Sequence, residues 1–266
     1  MITIKIGGSV AGSLHESAVP DIRRAAESGG AVIVHGGGRD VTEVSSRMGH
    51  EARFITSPSG VRSRYTDLET AGIFTMVMAG RVNKAIVRSL RAGGVNAVGV
   101  CGIDGGLIMA ERKKRLLIVN ERGRKQAIDG GYTGRVSRVE PRLADALLGA
   151  GFVPVIAPVA LGEGGEALNI DGDRAAAAMA GATRSDRAIF VTDVDGISMD
   201  GGLVGEIGAG EARQMRPRIG AGMEKKVIAA LEALEAGVGE AIIASGRREN
   251  PISAAMAHER CTVIRP

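Results

Sequence analysis

Tryptophan is absent from this 266-residue sequence, and aromatic residues make up only 2% of it. A core must therefore be aliphatic, which a hydrophobic content of 44% permits. The same shortage argues against single-stranded nucleic-acid binding, where aromatic rings stack on bases. Only two cysteines occur, Cys101 and Cys261, far apart and in no Cys-x-x-Cys pair. No disulfide framework or thiolate metal site is expected, and both are read as reduced core thiols. No apolar run approaches the ~20 residues of a membrane span, and no basic-then-apolar leader precedes the first strand pattern. The expectation is a cytoplasmic protein with no membrane association. GxxxxGK[ST], GxGxxG, HExxH and GxSxG are all missing, so any ATP site is not of the usual P-loop kind.

Glycine, by contrast, is abundant, with 40 residues. The most informative cluster is Ala31-Val32-Ile33-Val34-His35-Gly36-Gly37-Gly38. Its short Val/Ile-rich run reads as a buried strand ending on three glycines. Glycines leave backbone N–H groups bare and accept positive φ, so such a turn can converge donors on an anion. The residues at 39–48 read as a helix, whose N-terminus adds its positive end at the same place. A second strand, residues 2–6, runs into Gly7-Gly8-Ser9 and carries Lys5, a charge that is costly to bury unpaired. Two glycine turns after early strands predict one anion-handling edge at the C-terminal ends of a parallel sheet. The plain alternative is a pair of tight turns without a ligand, with His35 a satisfied core histidine.

Net charge is +4, unevenly spread. Residues 1–165 hold 22 Lys and Arg against 15 Asp and Glu, a balance of +7, and residues 166–266 hold 12 against 15, a balance of −3. A basic first half suggests an anionic substrate or an acidic partner there.

Strand and helix patterns alternate, which predicts an α/β fold with a mostly parallel sheet. Strands are expected at 2–6, 31–34, 95–100, 153–156, 188–192, 240–244 and 261–264. Helices are expected at about 16–28, 39–48, 67–91, 141–150, 174–182, 222–236 and 250–258. Residues 56–67 read as a Ser/Pro/Gly loop ending in Thr66 or Asp67 as a helix cap. Residues 107–139 read as hairpins, with short strands at 116–119 and 135–139. No low-complexity linker and no internal repeat is visible.

Phosphoryl chemistry at such an edge needs cations, N–H donors and something to hold the cations. Lys5 and Lys226 are candidates to neutralise a phosphoryl group in flight, with Asp173 bridging and orienting them. The glycines 7–8 and 36–38 are the donors. Arg62 can fork onto a substrate carboxylate. Asn169 and Asp173 can instead simply cap the following helix.

Taken together, Lys5-Ile6-Gly7-Gly8, His35-Gly36-Gly37-Gly38, Asn169-Ile170-Asp171-Gly172-Asp173, Thr192-Asp193-Val194-Asp195-Gly196 and Gly222-Met223-Glu224-Lys225-Lys226 resemble the amino acid kinase family. The order holds along the whole chain, and the likeness is greatest to the acetylglutamate kinase branch. One stretch departs from that branch: Ser63-Arg64-Tyr65 intervene between Gly60-Val61-Arg62 and Thr66-Asp67. That longer form, with Arg81-Val82-Asn83-Lys84 downstream, resembles kinases acting on aminoadipate or glutamate attached to a small acidic amino-group carrier protein.

The resemblance implies a three-layer αβα sandwich around an open sheet. It implies an acyl-substrate lobe at 1–165 and an ATP lobe at 166–266. The implied reaction is transfer of the γ-phosphoryl group of Mg2+-bound ATP to a side-chain carboxylate, in lysine or arginine biosynthesis. It implies catalytic roles for Lys5, Asp173 and Lys226, and substrate contacts at Gly36, Gly37, Arg62 and Asn169. Gly7, Gly8 and Gly38 are implied in phosphate binding, and Thr192, Asp193 and Gly196 in nucleotide binding. No resident protein-bound metal is implied, and a homodimer is. The basic runs Arg112-Lys113-Lys114-Arg115 and Arg122, Arg124, Lys125 are candidate docking points for the carrier, or a solvated hairpin face. The rival readings are an N-acetylglutamate kinase and a non-catalytic nucleotide or amino-acid sensor.

Overall fold

A computed structural model describes residues 1–10 and 14–266. Its centre is an eight-stranded sheet. In chain order the strands are β1 (Ile2–Ile6), β2 (Ala31–His35), β3 (Ala97–Cys101), β4 (Val153–Ala157), β5 (Arg187–Thr192), β6 (Glu206–Gly208), β7 (Glu240–Ser245) and β8 (Thr262–Arg265). Across the sheet they lie β6-β8-β7-β5-β1-β2-β4-β3. All neighbours are parallel except β7 and β8. The first four strands thus make one half of the sheet and the last four the other.

The helices are α1 (Ala18–Gly29), α2 (Gly38–Arg47), α3 (Leu68–Thr75), α4 (Asn83–Ala92), α5 (Arg142–Gly149), α6 (Gly172–Ala182), α7 (Ala209–Met215), α8 (Ala221–Glu235) and α9 (Pro251–Met256). Parallel strands need both faces covered, and the side chains divide accordingly. Ile2, Ile4, Ile6, Ile33 and Ile189 pack with Ile22 of α1, Leu90 of α4 and Ile252 of α9. Val32, Val34, Phe190 and Ile243 pack on the opposite face with the alanines of α6 and α8. The small alanines let both helices lie close to the sheet, so a three-layer αβα core forms without large rings. Both cysteines are buried and free, and burial raises both thiols.

Two expectations need correction. Residues 56–67 are not all loop: Phe54–Thr56 and Arg62–Arg64 pair as an antiparallel hairpin. These strands are three residues long and largely exposed, so they carry no readable alternation. The helix expected to run unbroken to residue 91 is interrupted by a π-helical stretch, Met76–Val82, between α3 and α4. Its start is as expected: Asp67 caps α3 by accepting from Thr70 N at 2.8 Å. A smaller sheet of Ala167–Asn169, Val159–Gly162, Ile108–Arg112 and Gly134–Val139 lies beside the main one. The hairpin Arg115–Val119 with Lys125–Asp129 projects from it. No helix among the described residues is long and apolar enough to cross a membrane.

Candidate active site at the glycine turns

β1 and β2 are adjacent and in register, Ile6 beside His35, so both glycine turns leave the sheet at one edge. They touch backbone to backbone. A Cβ on Gly8 would stand 2.8 Å from Gly37 N, and one on Gly36 would stand 2.6 Å from Gly8 N. Only glycine allows that approach. The N–H groups divide into two sets. Gly7 N donates to Val191 O at 2.9 Å and Gly36 N to Ile6 O at 2.8 Å, which tie the turns to the sheet. Gly8 N and Gly37 N have no hydrogen-bond partner among the described residues. The N-terminus of α2 carries no side-chain cap, so its dipole adds to theirs. Gly38 opens α2, and its carbonyl accepts from Arg64 at 2.9 Å.

Alternation along β1 turns Ile4 and Ile6 to one face and Lys5 to the other, towards the start of α6. There Lys5 Nζ lies 2.7 Å from Asp173 Oδ1. Lys226 Nζ, from α8, lies 3.8 Å from Asp173 Oδ2. Asp171, not Asp173, caps α6, accepting from Asp173 N at 2.9 Å. The Asp173 carboxylate is therefore left to face the two lysines. Lys5 and Asp173 are each 6% exposed. Burial opposes ionisation of Asp173, but attraction from Lys5 and then Lys226 overcomes it and holds the carboxyl below the usual range.

The other expected residues are more dispersed. Arg62 stacks over the Phe54 ring at 4.4 Å, and its carbonyl accepts from Lys225 Nζ at 3.3 Å. Its guanidinium is thus engaged with an aromatic face while the backbone ties the hairpin to α8. Asn169 donates to Thr66 Oγ1 at 2.9 Å, joining the smaller sheet to the segment before α3. Thr192 ends β5 and donates to Asp193 Oδ1 at 3.2 Å. Gly196 packs against Thr262, where a Cβ would meet Oγ1 at 2.4 Å.

Sequence reasoning missed Arg64. It bonds Gly38 O and Thr42 Oγ1, at 2.9 and 2.7 Å, while its Nη1 is buried without a partner. The signal was the three-residue insertion that carries it.

A Lys-Asp-Lys cluster whose Lys5 sits on the strand that runs into Gly7-Gly8, together with two unpartnered glycine N–H groups, suits the handling of a phosphoryl group. Residues 1–245 match the amino acid kinase family. The chain belongs to the amino acid kinase family. A relative from Cenarchaeum symbiosum, a "Putative [LysW]-aminoadipate/[LysW]-glutamate kinase", is 66% identical over 264 residues, covering 99% of both chains. One of the same name from Nitrosopumilus maritimus is 56% identical with equal coverage. A "[LysW]-aminoadipate/[LysW]-glutamate kinase" of Saccharolobus islandicus is 40% identical over 257 residues, 96% of each. Among solved structures, smu.665 of Streptococcus mutans superposes with a TM-score of 0.79 at 23% identity, covering 99% of this chain and 98% of that one. At that identity the likeness speaks to fold alone, and the fold is that of the family. The chain is thus a kinase, as the order of its motifs implied.

Proposed function

We propose that this chain transfers the γ-phosphoryl group of ATP to the side-chain carboxylate of aminoadipate or glutamate, carried on a small acidic protein of the LysW type. The product is an acyl phosphate in lysine or arginine biosynthesis. The observation that carries this reading is the Lys5–Asp173–Lys226 cluster, reached from the same strand that leads into the touching turns of Gly8 and Gly37. The likeness at 66% identity to a relative named for that substrate supports it.

In this reading a carboxylate oxygen of the acceptor attacks the γ-phosphorus and the bond to the ADP oxygen breaks. The acceptor is already ionised at neutral pH, so no general base is needed. Asp173, held ionised by its lysines, is not a proton acceptor here. It keeps two ammonium groups side by side instead of repelling each other. Lys5 and Lys226 offset the charge on the transferring oxygens, and Gly8 N and Gly37 N add fixed dipoles that need no reorganisation. Among the described residues no three His, Cys, Asp or Glu side chains cluster as a metal site. Mg2+ would enter on the nucleotide's phosphates and neutralise part of their charge. Thr192, Asp193 and Gly196, at the end of β5, line the nucleotide side. Gly36, Arg62 and Asn169 lie toward the acceptor.

The carrier docks, in this reading, on the basic first half. Arg112, Lys113, Lys114 and Arg115 line a groove of about 950 Å³ together with Glu163 and Glu166. Burial lowers Lys113, and the Arg174 charge adds to the effect, so an incoming carboxylate there would relieve an unfavourable site. The kinase acts in the cytoplasm as a homodimer, which light scattering after size-exclusion chromatography tests.

The deciding assay traps acyl phosphate with hydroxylamine in the presence of ATP and Mg2+. It compares free N-acetylglutamate, free N-acetylaminoadipate and both amino acids on an acidic carrier. Turnover of the carrier-bound forms alone is expected. Efficient turnover of free N-acetylglutamate would overturn the carrier assignment, and ATP binding without any turnover would point to a sensor. Charge reversal across residues 112–115 should raise KM for the carrier-bound substrate, most strongly at low salt. An equal rise for a free substrate would mean that the cluster is not a docking face.

A further inference from the structure

Behind the glycine turns lie two fully buried polar side chains that the chemistry above does not use, His35 and Asn83. Asn83 Nδ2 approaches Val155 O at 2.9 Å and His35 Nε2 at 3.1 Å, while Lys84 Nζ approaches Asn83 Oδ1 at 2.9 Å. An ammonium group only donates, so the atom facing Lys84 must be the amide oxygen. That fixes the amide, whose two N–H groups then reach Val155 O and His35 Nε2. Nε2 must accept, so the proton of a neutral ring sits on Nδ1. His35 Nδ1 lies 3.1 Å from Gly36 O and donates to it.

The carbonyl of Gly36 and the N–H of Gly37 belong to one planar trans peptide and point in opposite directions. Drawing the oxygen towards His35 aims the N–H away from the imidazole, on the side where Gly8 stands. That N–H is one of the two unpartnered donors of the site.

The π-helical stretch delivers Asn83. Val77, Met78, Val82 and Asn83 are all buried. Residues five apart on an α-helix lie about 140° apart, so 77 and 82, or 78 and 83, could not all face inward. A π-turn bonds residues five apart, as Asn83 N does to Met78 O, and brings them nearer to one side. Met78 and Val82 also pack on Gly37, where a Cβ would meet Met78 Sδ at 2.8 Å.

We propose that His35, held by Asn83, is a positioning residue that orients the Gly36–Gly37 peptide so that its N–H faces the transferring phosphoryl group. The inference rests on the glycine-turn site, which Lys5 variants test separately. Burial pushes the His35 pKa down to about 4, against the upward pull of its bond to Gly36 and with the nearby charges of Lys5 and Lys84 adding to the fall. The ring is therefore neutral near pH 7, as the acceptor at Nε2 requires. Lys5 from β1 and Lys84 from α4 are the charged groups that face it.

Two variants separate positioning from bulk. His35→Asn keeps an amide donor near the Nδ1 place and loses the far atom. His35→Gln keeps a polar atom near the Nε2 place and loses the donor to Gly36. Both leave a buried amide, so comparable losses in Tm are expected. In the trapping assay kcat of H35Q should fall about 10- to 100-fold below that of H35N, less than the roughly 100- to 1,000-fold cost of removing an aligned donor outright because the N–H is misaimed and not lost, with KM for ATP nearly unchanged. Equal kcat values in two folded variants would overturn the proposal. Should either fail to fold, long-range 1H–15N correlation on the unmodified protein gives the answer between pH 8 and 5.5. Protonation at Nδ1 throughout is expected, and a proton on Nε2 would refute the arrangement. Unchanged kcat in Lys5→Met would instead remove the site itself.

Discussion

Replacing Lys5 with methionine keeps most of the side-chain volume and removes the charge that lies 2.7 Å from Asp173. Both residues are nearly inaccessible. The variant therefore does more than disable chemistry, because it strands a buried carboxylate. Breaking one side of a buried ion pair typically costs about 3–5 kcal/mol. Lys226 remains, 3.8 Å from the other oxygen, which argues for the lower end, about 3 kcal/mol. For a chain of this length that is a fall in Tm of roughly 6–12 °C.

The pH dependence carries the sign of the argument. Asp173 has a lowered pKa in the folded state, so it stabilises above its unfolded pKa and that stability is lost as pH falls through the folded value. In Lys5→Met the largest part of this contribution is lost, and Lys226 supplies what remains. The deficit against the unmodified protein should be widest at neutral pH and narrow as pH falls, because burial without Lys5 pushes the stranded carboxyl upward and it takes up a proton before the unmodified one does. Urea denaturation of Lys5→Met, Asp173→Asn and the double variant at neutral pH closes the cycle. The double variant should be more stable than Lys5→Met, because it removes the orphaned charge. A double variant no more stable than Lys5→Met would refute the idea that the carboxylate is what the lysine compensates.

Gly8→Ala drives a methyl group to 2.8 Å from Gly37 N. It should lower kcat about 100-fold, and a rate within threefold of the unmodified protein would show that the turns do not need to touch. Asp21 of α1 is buried and accepts from Ile252 N at 2.6 Å and Ser253 N at 2.9 Å, at the start of α9. Asp21→Ala leaves both donors bare and should lower stability by about 2–4 kcal/mol without changing KM, as urea midpoints and steady-state rates will show.

Legibility in the sequence followed the physics of each element. β1 and β2 are short Ile- and Val-rich runs followed by glycines, a pattern that survives in one dimension because both of their faces are buried. Lys5 stood out, since an ion inside a buried strand demands an explanation, whereas Asp173 read equally well as a helix cap and gained its role from the resemblance. The hairpin carrying Arg62 and Arg64 was hidden, because its strands are short and bathed in solvent. Asn83 was hidden for a different reason. It sits between Arg81 and Lys84 in what reads as a solvated helix face, and only the phase shift of a π-turn brings it inward. His35 looked equally like a packing residue or a functional one. Its orienting contact is with the carbonyl of the next residue, which no spacing rule reveals. Beyond the core pattern, β6 and α7 were not anticipated, as three- and seven-residue elements offer too few positions for a period.

The place of β1 in the sheet bears on how the chain comes off the ribosome. The first strand is flanked by β2, which follows within some thirty residues, and by β5, where Ile2 pairs beside Arg187. At about 5–20 residues per second, one side of β1 waits on the order of ten to forty seconds for its neighbour. Throughout that interval an Ile-rich edge with free N–H and C=O groups is exposed to other nascent chains. The centre of the finished molecule is therefore an open sheet edge during synthesis.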